Sequence, residues 1–217
     1  MFSTFQILKL NFMTIHLYKG DLPDNLDLGK EVAIDTETQG LNPLRDRLCV
    51  IQLSSGDGDA HLVQFSEDDY QQARNLKKLL ADPKILKIFH FARFDVAVLK
   101  QYLGVDVAPV FCTKIASKLV RTYTDRHGLK DLLRELLGVE LDKRQQSSDW
   151  AAKDLSEDQQ VYAANDVYHL NEVKGKLVEM LDREGRTDLA QQCFDFLPTR
   201  AQLDLTGWND HDIFSHS

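Results

Sequence analysis

Residues 31–37 read Glu31-Val32-Ala33-Ile34-Asp35-Thr36-Glu37. Its apolar residues predict a short β-strand that is buried in a sheet. Side chains two positions apart on a strand project from the same face, so Asp35 and Glu37 should lie side by side. Two acids on a strand that otherwise suits a buried sheet indicate a functional site.

The pattern beyond this strand predicts an α/β domain. Strands are expected at 48–53 and 60–65, and the turn-rich residues 54–59 between them favour a hairpin. Ser66 should cap a helix that ends before Pro83. Further strands are expected at 85–91 and 107–112, and helices at 93–103, 113–121, 129–137, 157–184 and 187–196. This order predicts a mixed five-stranded sheet flanked by helices.

Composition bears on domain organisation and location. We treat residues 1–12 as an N-terminal tail of uncertain role and residues 13–217 as a single domain. No apolar run approaches the roughly 20 residues that cross a bilayer, so no membrane partner is expected. Cys49, Cys112 and Cys193 are odd in number and lack a C-x-x-C spacing, which favours a reducing cytoplasm.

The chain carries a formal net charge of -8. Proteins that neutralise many phosphates usually present a basic surface, so this charge disfavours a long duplex as the ligand. Divalent cations held by acidic residues would offset part of the charge, and a very short substrate has few phosphates to neutralise. The charge therefore disfavours binding to a long duplex without excluding a short nucleic acid as the ligand.

Two later segments carry acids in positions that suggest chemistry. Asp95 lies early in a predicted helix, directly after a predicted strand. Tyr162 and Asp166 are four residues apart on another predicted helix and should share one face. Spacing alone is weak, because both D-x-E and Y-x-x-x-D occur twice in the chain. The second copies fall at helix ends, and they are Asp182/Glu184 and Tyr102/Asp106.

The order of these acids, and the sequence around them, resembles the DEDD exonucleases of the ribonuclease D type. Residues 32–37 resemble the first ribonuclease D motif, residues 90–99 the second, and residues 141–166 the third with the approach to it. The resemblance extends over about residues 30–180. It implies a ribonuclease H-like exonuclease fold and 3′–5′ exonuclease activity.

The resemblance also implies roles for individual residues. Two divalent cations, Mg²⁺ or Mn²⁺, would be held by carboxylates, which are the ligands that such hard ions prefer. The implied ligands are Asp35 between both ions, Glu37 and Asp166 at the first ion, and Asp95 at the second through water. Tyr162 would orient the attacking water as the fifth catalytic residue. The implied substrate contacts are Thr38, Leu41 and His90.

These residues also have plainer interpretations. Asp35 and Glu37 could be acids at a solvated strand end, and Asp95 could be an ordinary acid in the first turn of a helix. Tyr162 could be an aromatic residue at the edge of the core, and His90 could have a structural role. Leu41 could be a core leucine rather than an apolar wedge against a terminal base. Trp150 is expected to pack rather than to stack on a base. The cations nearest the motifs are expected mostly at the surface, with one or two at a phosphate: Arg93, Arg121, Arg126, Lys130, Lys143 and Arg144.

The chain is more narrowly similar to the short bacterial nano-RNase C group, on residues 14–22 and 39–46. That likeness implies a compact catalytic core, a ring-shaped homo-oligomer such as an octamer, and very short single-stranded RNA, down to dinucleotides, as the substrate. These expectations describe a cytoplasmic 3′–5′ exoribonuclease that releases nucleoside 5′-monophosphates. Two alternatives stay open: a DNA-directed exonuclease of the same fold, and a catalytically inactive domain for RNA binding or assembly.

Overall fold

A mixed sheet of seven strands forms the centre of the computed structural model, which describes residues 6–9, 13–67, 69–142, 145 and 147–216. The strands are β1 (Gln6–Lys9), β2 (Thr14–Lys19), β3 (Glu31–Thr38), β4 (Leu48–Ser54), β5 (Asp59–Gln64), β6 (Leu86–Phe89) and β7 (Val110–Cys112). Their spatial order is β1-β2-β5-β4-β3-β6-β7. Strand β4 is antiparallel to β3 and β5, whereas β2 is parallel to β5, β6 to β3, and β7 to β6.

The mixed α/β architecture is confirmed, but the expected count of five strands is wrong, because the described residues form seven. Strand β2 places Ile15 and Leu17 in the core with the less buried His16 between them, an alternation typical of a half-buried strand. Strand β1 pairs antiparallel with β2, so part of the expected tail over residues 1–12 belongs to the sheet. Residues 1–5 and 10–12 of that tail lie outside the described residues.

Eight α-helices flank the sheet in the described part of the chain. They are α1 (Arg74–Ala81), α2 (Ala92–Leu103), α3 (Thr113–Val120), α4 (Leu129–Leu137), α5 (Glu157–Tyr168), α6 (Leu170–Arg183), α7 (Thr187–Asp195) and α8 (Leu197–Leu205). The last of these was not expected from the sequence. None of the described helices has both the length and the apolar composition needed to cross a membrane.

The predicted helix from Ser66 begins later than expected. The amide and hydroxyl of Ser66 both donate to the Asp69 carboxylate, at 3.0 and 2.5 Å. These bonds close a local turn, which is followed by a short 3₁₀ helix over Asp69–Gln71, and α1 starts only at Arg74. Serine and aspartate side chains compete in this way with helix formation.

The predicted helix over 157–184 is two helices that meet at His169. Tyr162 and Ala163 of α5 pack in one apolar cluster, whereas Leu170 and Leu177 of α6 pack in another. The break at His169 therefore falls where the chain leaves the smaller cluster for the larger one. The expected cap at the start of α5 is confirmed, because Ser156 and Gln159 form a reciprocal capping box.

The two clusters cover opposite faces of the sheet. On β4, Ile51 and Leu53 point into the larger cluster, whereas Val50 points into the smaller one. Helix α5 packs against β2, β3, β4 and β5, and the residues of α5 in the smaller cluster include Tyr162. This face of the sheet therefore brings α5 to the acidic end of β3.

Candidate active site

Three predicted acids converge where β3 meets α5. Asp35 and Glu37 share a face of β3, and Asp166 comes from α5. One carboxylate oxygen from each of the three lies within 4.8 Å of the others. Acids from stretches about 130 residues apart in the chain are thus held together by tertiary packing.

Asp95 reaches this cluster from the other side of β3. It lies in the first turn of α2 and is 3% exposed. The Thr36 hydroxyl donates a 2.7 Å hydrogen bond to Asp95 Oδ1, and Thr36 stands between Asp35 and Glu37 on the strand. The fourth acid is therefore buried and tied to the strand that carries the first two, which is inconsistent with an ordinary solvated helix acid.

Burial and mutual repulsion disfavour the charged forms of these acids. Burial, followed by the charges of neighbouring carboxylates, raises the pKa of Asp35 well above its usual range. The same causes raise the pKa of Glu37, where Asp166 contributes the largest neighbouring charge. Burial raises the pKa of Asp95 to about 7. A bound cation would reverse this balance, because it stabilises the charged form of each acid.

Tyr162 lies one turn before Asp166 on α5, with its ring tilted against Trp150 at a centroid distance of 5.9 Å. Burial, and then the charges of Asp166 and Glu37, raise the pKa of its phenol above the usual value. The hydroxyl therefore remains protonated at neutral pH and can donate a hydrogen bond. Trp150 is 3% exposed, so it packs within the domain, as expected.

Gln52 belongs to this site although the sequence reasoning did not identify it. It lies opposite Asp35 in the β3–β4 register, is fully buried, and donates a 2.7 Å hydrogen bond to Asp35 Oδ2. Its Oε1 atom has no hydrogen-bond partner among the described residues. An amide within the otherwise apolar run 48–53 was the signal that could have revealed it. Gln52 orients the Asp35 carboxylate.

The predicted substrate contacts line a cavity of about 740 Å³ beside the acids. Leu41 is 88% exposed, which excludes the core interpretation of this residue. The chain just before Leu41 packs closely against Asp46. A side chain at Gly40 would not fit there, because its Cβ atom would lie 2.2 Å from the Asp46 carboxylate. The cavity lining includes Asp35, Glu37, Thr38, Leu41, His90, Tyr162 and Asp166, but not Asp95.

Two of the residues that line the cavity also form hydrogen bonds within the protein. The Thr38 hydroxyl donates to the Gly40 carbonyl at 2.5 Å. His90 Nδ1 lies 2.9 Å from the Thr113 hydroxyl, which in turn donates to the Phe89 carbonyl. His90 is thus held in place by the end of β6 and the start of α3.

Among the described residues, three of the cations near the motifs pair with acids: Arg93, Arg121 and Lys130. Arg93 forms a bidentate pair with Asp204, at 2.6 and 2.7 Å. Arg121 is fully buried and pairs with Glu135, so it is an exception among cations that were expected mostly at the surface. Lys143 and Arg144 lie outside the described residues. Among the described residues that line the cavity, Lys114 is the single lysine or arginine.

Comparisons with known proteins match this arrangement. Residues 21–182 match the family model described as 3′–5′ exonuclease. The structure of Brucella melitensis NrnC bound to pGG is 56% identical, with a TM-score of 0.91, over 94% of this chain and 100% of the other. The same Brucella protein has also been solved with bound Mg²⁺, at 56% identity over the same shares of both chains and a TM-score of 0.90.

Longer relatives match over part of their length. Ribonuclease D of Gluconacetobacter diazotrophicus is 38% identical over 157 residues, which are 72% of this chain and 39% of that protein. Escherichia coli RNase D, described as an exoribonuclease involved in structured RNA processing, is 28% identical with a TM-score of 0.70, over 79% of this chain and 45% of the other. The chain thus spans about 39% of the first of these relatives.

The family model covers most of the chain, and the match to NrnC covers nearly all of both proteins. The predicted resemblances to ribonuclease D and to the nano-RNase C group are therefore confirmed, as is the ribonuclease H-like exonuclease fold. The chain belongs to the 3′–5′ exonuclease family, within its ribonuclease D type and close to NrnC.

Proposed function

We propose that this protein is a metal-dependent exoribonuclease that shortens single-stranded RNA oligonucleotides from the 3′ end and releases nucleoside 5′-monophosphates. The observation that carries the proposal is the convergence of Asp35, Glu37 and Asp166 at one point, with Asp95 tied to the same strand through Thr36. Such a concentration of buried acids is costly without cations, and phosphodiester hydrolysis is a reaction that bound cations promote.

The donor set fits two Mg²⁺ or Mn²⁺ ions. All four groups are carboxylates, which suit hard cations, and their formal charge would be balanced by two divalent ions. We assign Asp35 to both ions, Glu37 and Asp166 to the first, and Asp95 to the second through water. When bound, the ions would lower the pKa of the attacking water and offset the charge that develops on the phosphate. The Mg²⁺ in the Brucella relative supports this assignment.

Protein groups around the acids would fix the geometry of the reaction. Gln52 donates to Asp35 and Thr36 donates to Asp95, so each carboxylate keeps one orientation. Tyr162 would hold the attacking water through its hydroxyl, whose raised pKa keeps it neutral. Holding reacting groups in line in this way lowers the entropic part of the barrier.

Short RNA is the substrate that the site favours. The Brucella relative has been solved bound to pGG, and this supports the proposal. The cavity volume of about 740 Å³ lies within the roughly 300–1,000 Å³ range of small-ligand sites. We propose that the exposed Leu41 acts as an apolar wedge against a terminal base, and that Thr38 and His90 contact the substrate. The net charge of -8 is also consistent with a ligand that has few phosphates.

A panel of substrates tests this proposal. We expect Mg²⁺- or Mn²⁺-dependent hydrolysis of an RNA dinucleotide and of a longer single-stranded RNA, with the dinucleotide degraded fastest and duplex DNA left intact. Product chromatography would identify the released monophosphates. Hydrolysis of duplex DNA without hydrolysis of the dinucleotide would indicate a DNA-directed exonuclease. No hydrolysis of any substrate by folded, metal-loaded protein would indicate an inactive RNA-binding domain.

We also propose that the protein is a cytoplasmic homo-oligomer, assembled as a ring such as an octamer. All three cysteines are free thiols, which supports a reducing compartment. Trp208 and Phe214 near the C-terminus are 47% and 76% exposed, so both side chains are accessible to a neighbouring subunit. Light scattering on the purified protein measures the mass in solution, and a monomeric mass would contradict the assembly.

A further inference from the structure

A second group of metal-ligand side chains lies on β2 and β5, apart from the acidic site. His16 of β2 and His61 of β5 are direct partners in the parallel register of these strands. Asp59 lies two residues before His61 and therefore projects from the same face. One ligand atom from each of the three residues lies within 4.8 Å of the others.

This histidine cluster, defined as His16, Asp59 and His61, occupies the sheet face opposite Asp35 and Glu37. Asp35 is paired with Gln52, which is paired with Leu62, so these three share one face. His61 is the neighbour of Leu62 along β5 and projects to the other face. The cluster is therefore separated from Asp35 and Glu37 by the thickness of the sheet.

The contacts within the cluster hold two imidazoles close to one carboxylate. His16 Nε2 lies 2.9 Å from Asp59 Oδ2. The rings of His16 and His61 stack with centroids 4.8 Å apart and an interplanar angle of 10°. The Asp59 side chain is 41% exposed and that of His16 18%, so an ion from solvent can reach the ligands.

Tyr18 supplies support behind one of the ligands. Its hydroxyl lies 3.0 Å from His61 Nδ1, which leaves Nε2 of the ring to bind a cation. With a metal at Nε2, Nδ1 carries the proton and donates to the tyrosine oxygen, and such a partner fixes the ring orientation.

We propose that His16, Asp59 and His61 bind a transition-metal cation such as Zn²⁺, which links β2 to β5. Two imidazole nitrogens and one carboxylate oxygen form a ligand set typical of Zn²⁺, with water as the fourth ligand. Mg²⁺ binds imidazole poorly and prefers oxygen ligands, so the two sites of this protein select different ions. Ligand atoms around tetrahedral Zn²⁺ are about 3.3 Å apart, so side-chain rotation must bring the three atoms closer together.

The test is a titration with Zn²⁺ alone, in excess Mg²⁺ that occupies the carboxylate site. Calorimetry should give one Zn²⁺ per chain, and Zn²⁺ should raise the thermal midpoint because it binds only the folded protein. Co²⁺ in place of Zn²⁺ should give the intense visible absorption of a tetrahedral site with nitrogen ligands. Six-coordinate Co²⁺ among carboxylates absorbs only weakly, which distinguishes the two sites.

Variants assign the binding to these residues. His16→Gln and His61→Gln should each weaken Zn²⁺ binding by at least about 100-fold, because loss of even a supporting partner costs about 10–100-fold. Tyr18→Phe removes the hydroxyl that contacts His61 and should weaken Zn²⁺ binding by about 10–100-fold. His211→Gln, at an exposed histidine in the C-terminal segment, is the matched control and should bind as the wild type does. Because His16 is partly exposed, its variant tests the site even if the His61 variant does not fold.

Three results would overturn the proposal. They are the absence of Zn²⁺ binding in excess Mg²⁺, unchanged binding by a folded His16→Gln variant, and a weak six-coordinate Co²⁺ spectrum. None of these results bears on RNA hydrolysis, because the cluster shares no residue with the acidic site. Conversely, failure of the exonuclease proposal would leave the Zn²⁺ titration unaffected.

Discussion

The substitution Asp35→Asn should lower the rate of RNA hydrolysis by at least about 10³-fold, because metal ions contribute several kcal/mol to such reactions and about 1.4 kcal/mol corresponds to a factor of ten. Asp35 is the acid that we assign to both cations, and asparagine removes its charge while keeping its shape. Gln52 can still donate to the remaining amide oxygen, so the fold should be retained. Single-turnover kinetics with an RNA dinucleotide measure the effect.

The second D-x-E sequence of the chain provides the matched control. Asp182 lies near the end of α6, is exposed, and does not line the cavity. Asp182→Asn should therefore leave the rate within about twofold of wild type, as expected for a surface position. A near-normal rate for a folded Asp35→Asn variant would show that the metal assignment is wrong.

The same substitution should stabilise the protein when metal is absent. Because the pKa of Asp35 is raised in the folded state, the folded protein holds this proton to higher pH than the unfolded chain. The contribution of Asp35 to the free energy of unfolding therefore falls as the pH rises above about 4. Asparagine does not titrate, so the variant does not lose stability in this way. We expect a higher free energy of unfolding and a higher thermal midpoint for Asp35→Asn at neutral pH, measured by thermal unfolding in EDTA. In excess Mg²⁺ the wild type should become more stable than Asp35→Asn, because Mg²⁺ binds to the folded wild-type protein.

Tyr162→Phe should lower the rate by about 10²-fold, the loss typical of a reacting group that is misplaced by about 1 Å. The phenol is protonated and lies beside Asp166, so its contribution is a hydrogen bond to the attacking water rather than proton removal. The aromatic ring that packs on Trp150 is retained, and none of the carboxylates changes. Calorimetric Mg²⁺ affinity should therefore remain close to that of the wild type.

The second Y-x-x-x-D sequence again offers a control. Tyr102 packs against Tyr70 at the end of α2 and does not line the cavity, so Tyr102→Phe should have little effect on the rate. If Tyr162→Phe lost metal binding together with activity, the tyrosine would be supporting the ligands rather than the water. An unchanged rate would exclude it from the reaction.

The sequence could predict what neighbours along the chain determine. The apolar run before Asp35 indicated β3, and the two-residue spacing placed Asp35 and Glu37 on one face. The four-residue spacing placed Tyr162 above Asp166 on α5, and the Ser156 capping box marked where that helix begins. These are consequences of strand and helix geometry, which repeats within a few residues.

Relations between distant segments were decided by the tertiary structure. The distances among Asp35, Glu37 and Asp166, the burial of Asp95, and the exposure of Leu41 all depend on how β3, α2 and α5 pack. Strand β1 was missed because four residues become a strand only when β2 pairs with them. Periodicity records which side of an element is buried, whereas the position of one element against another depends on side chains that pack from many parts of the chain.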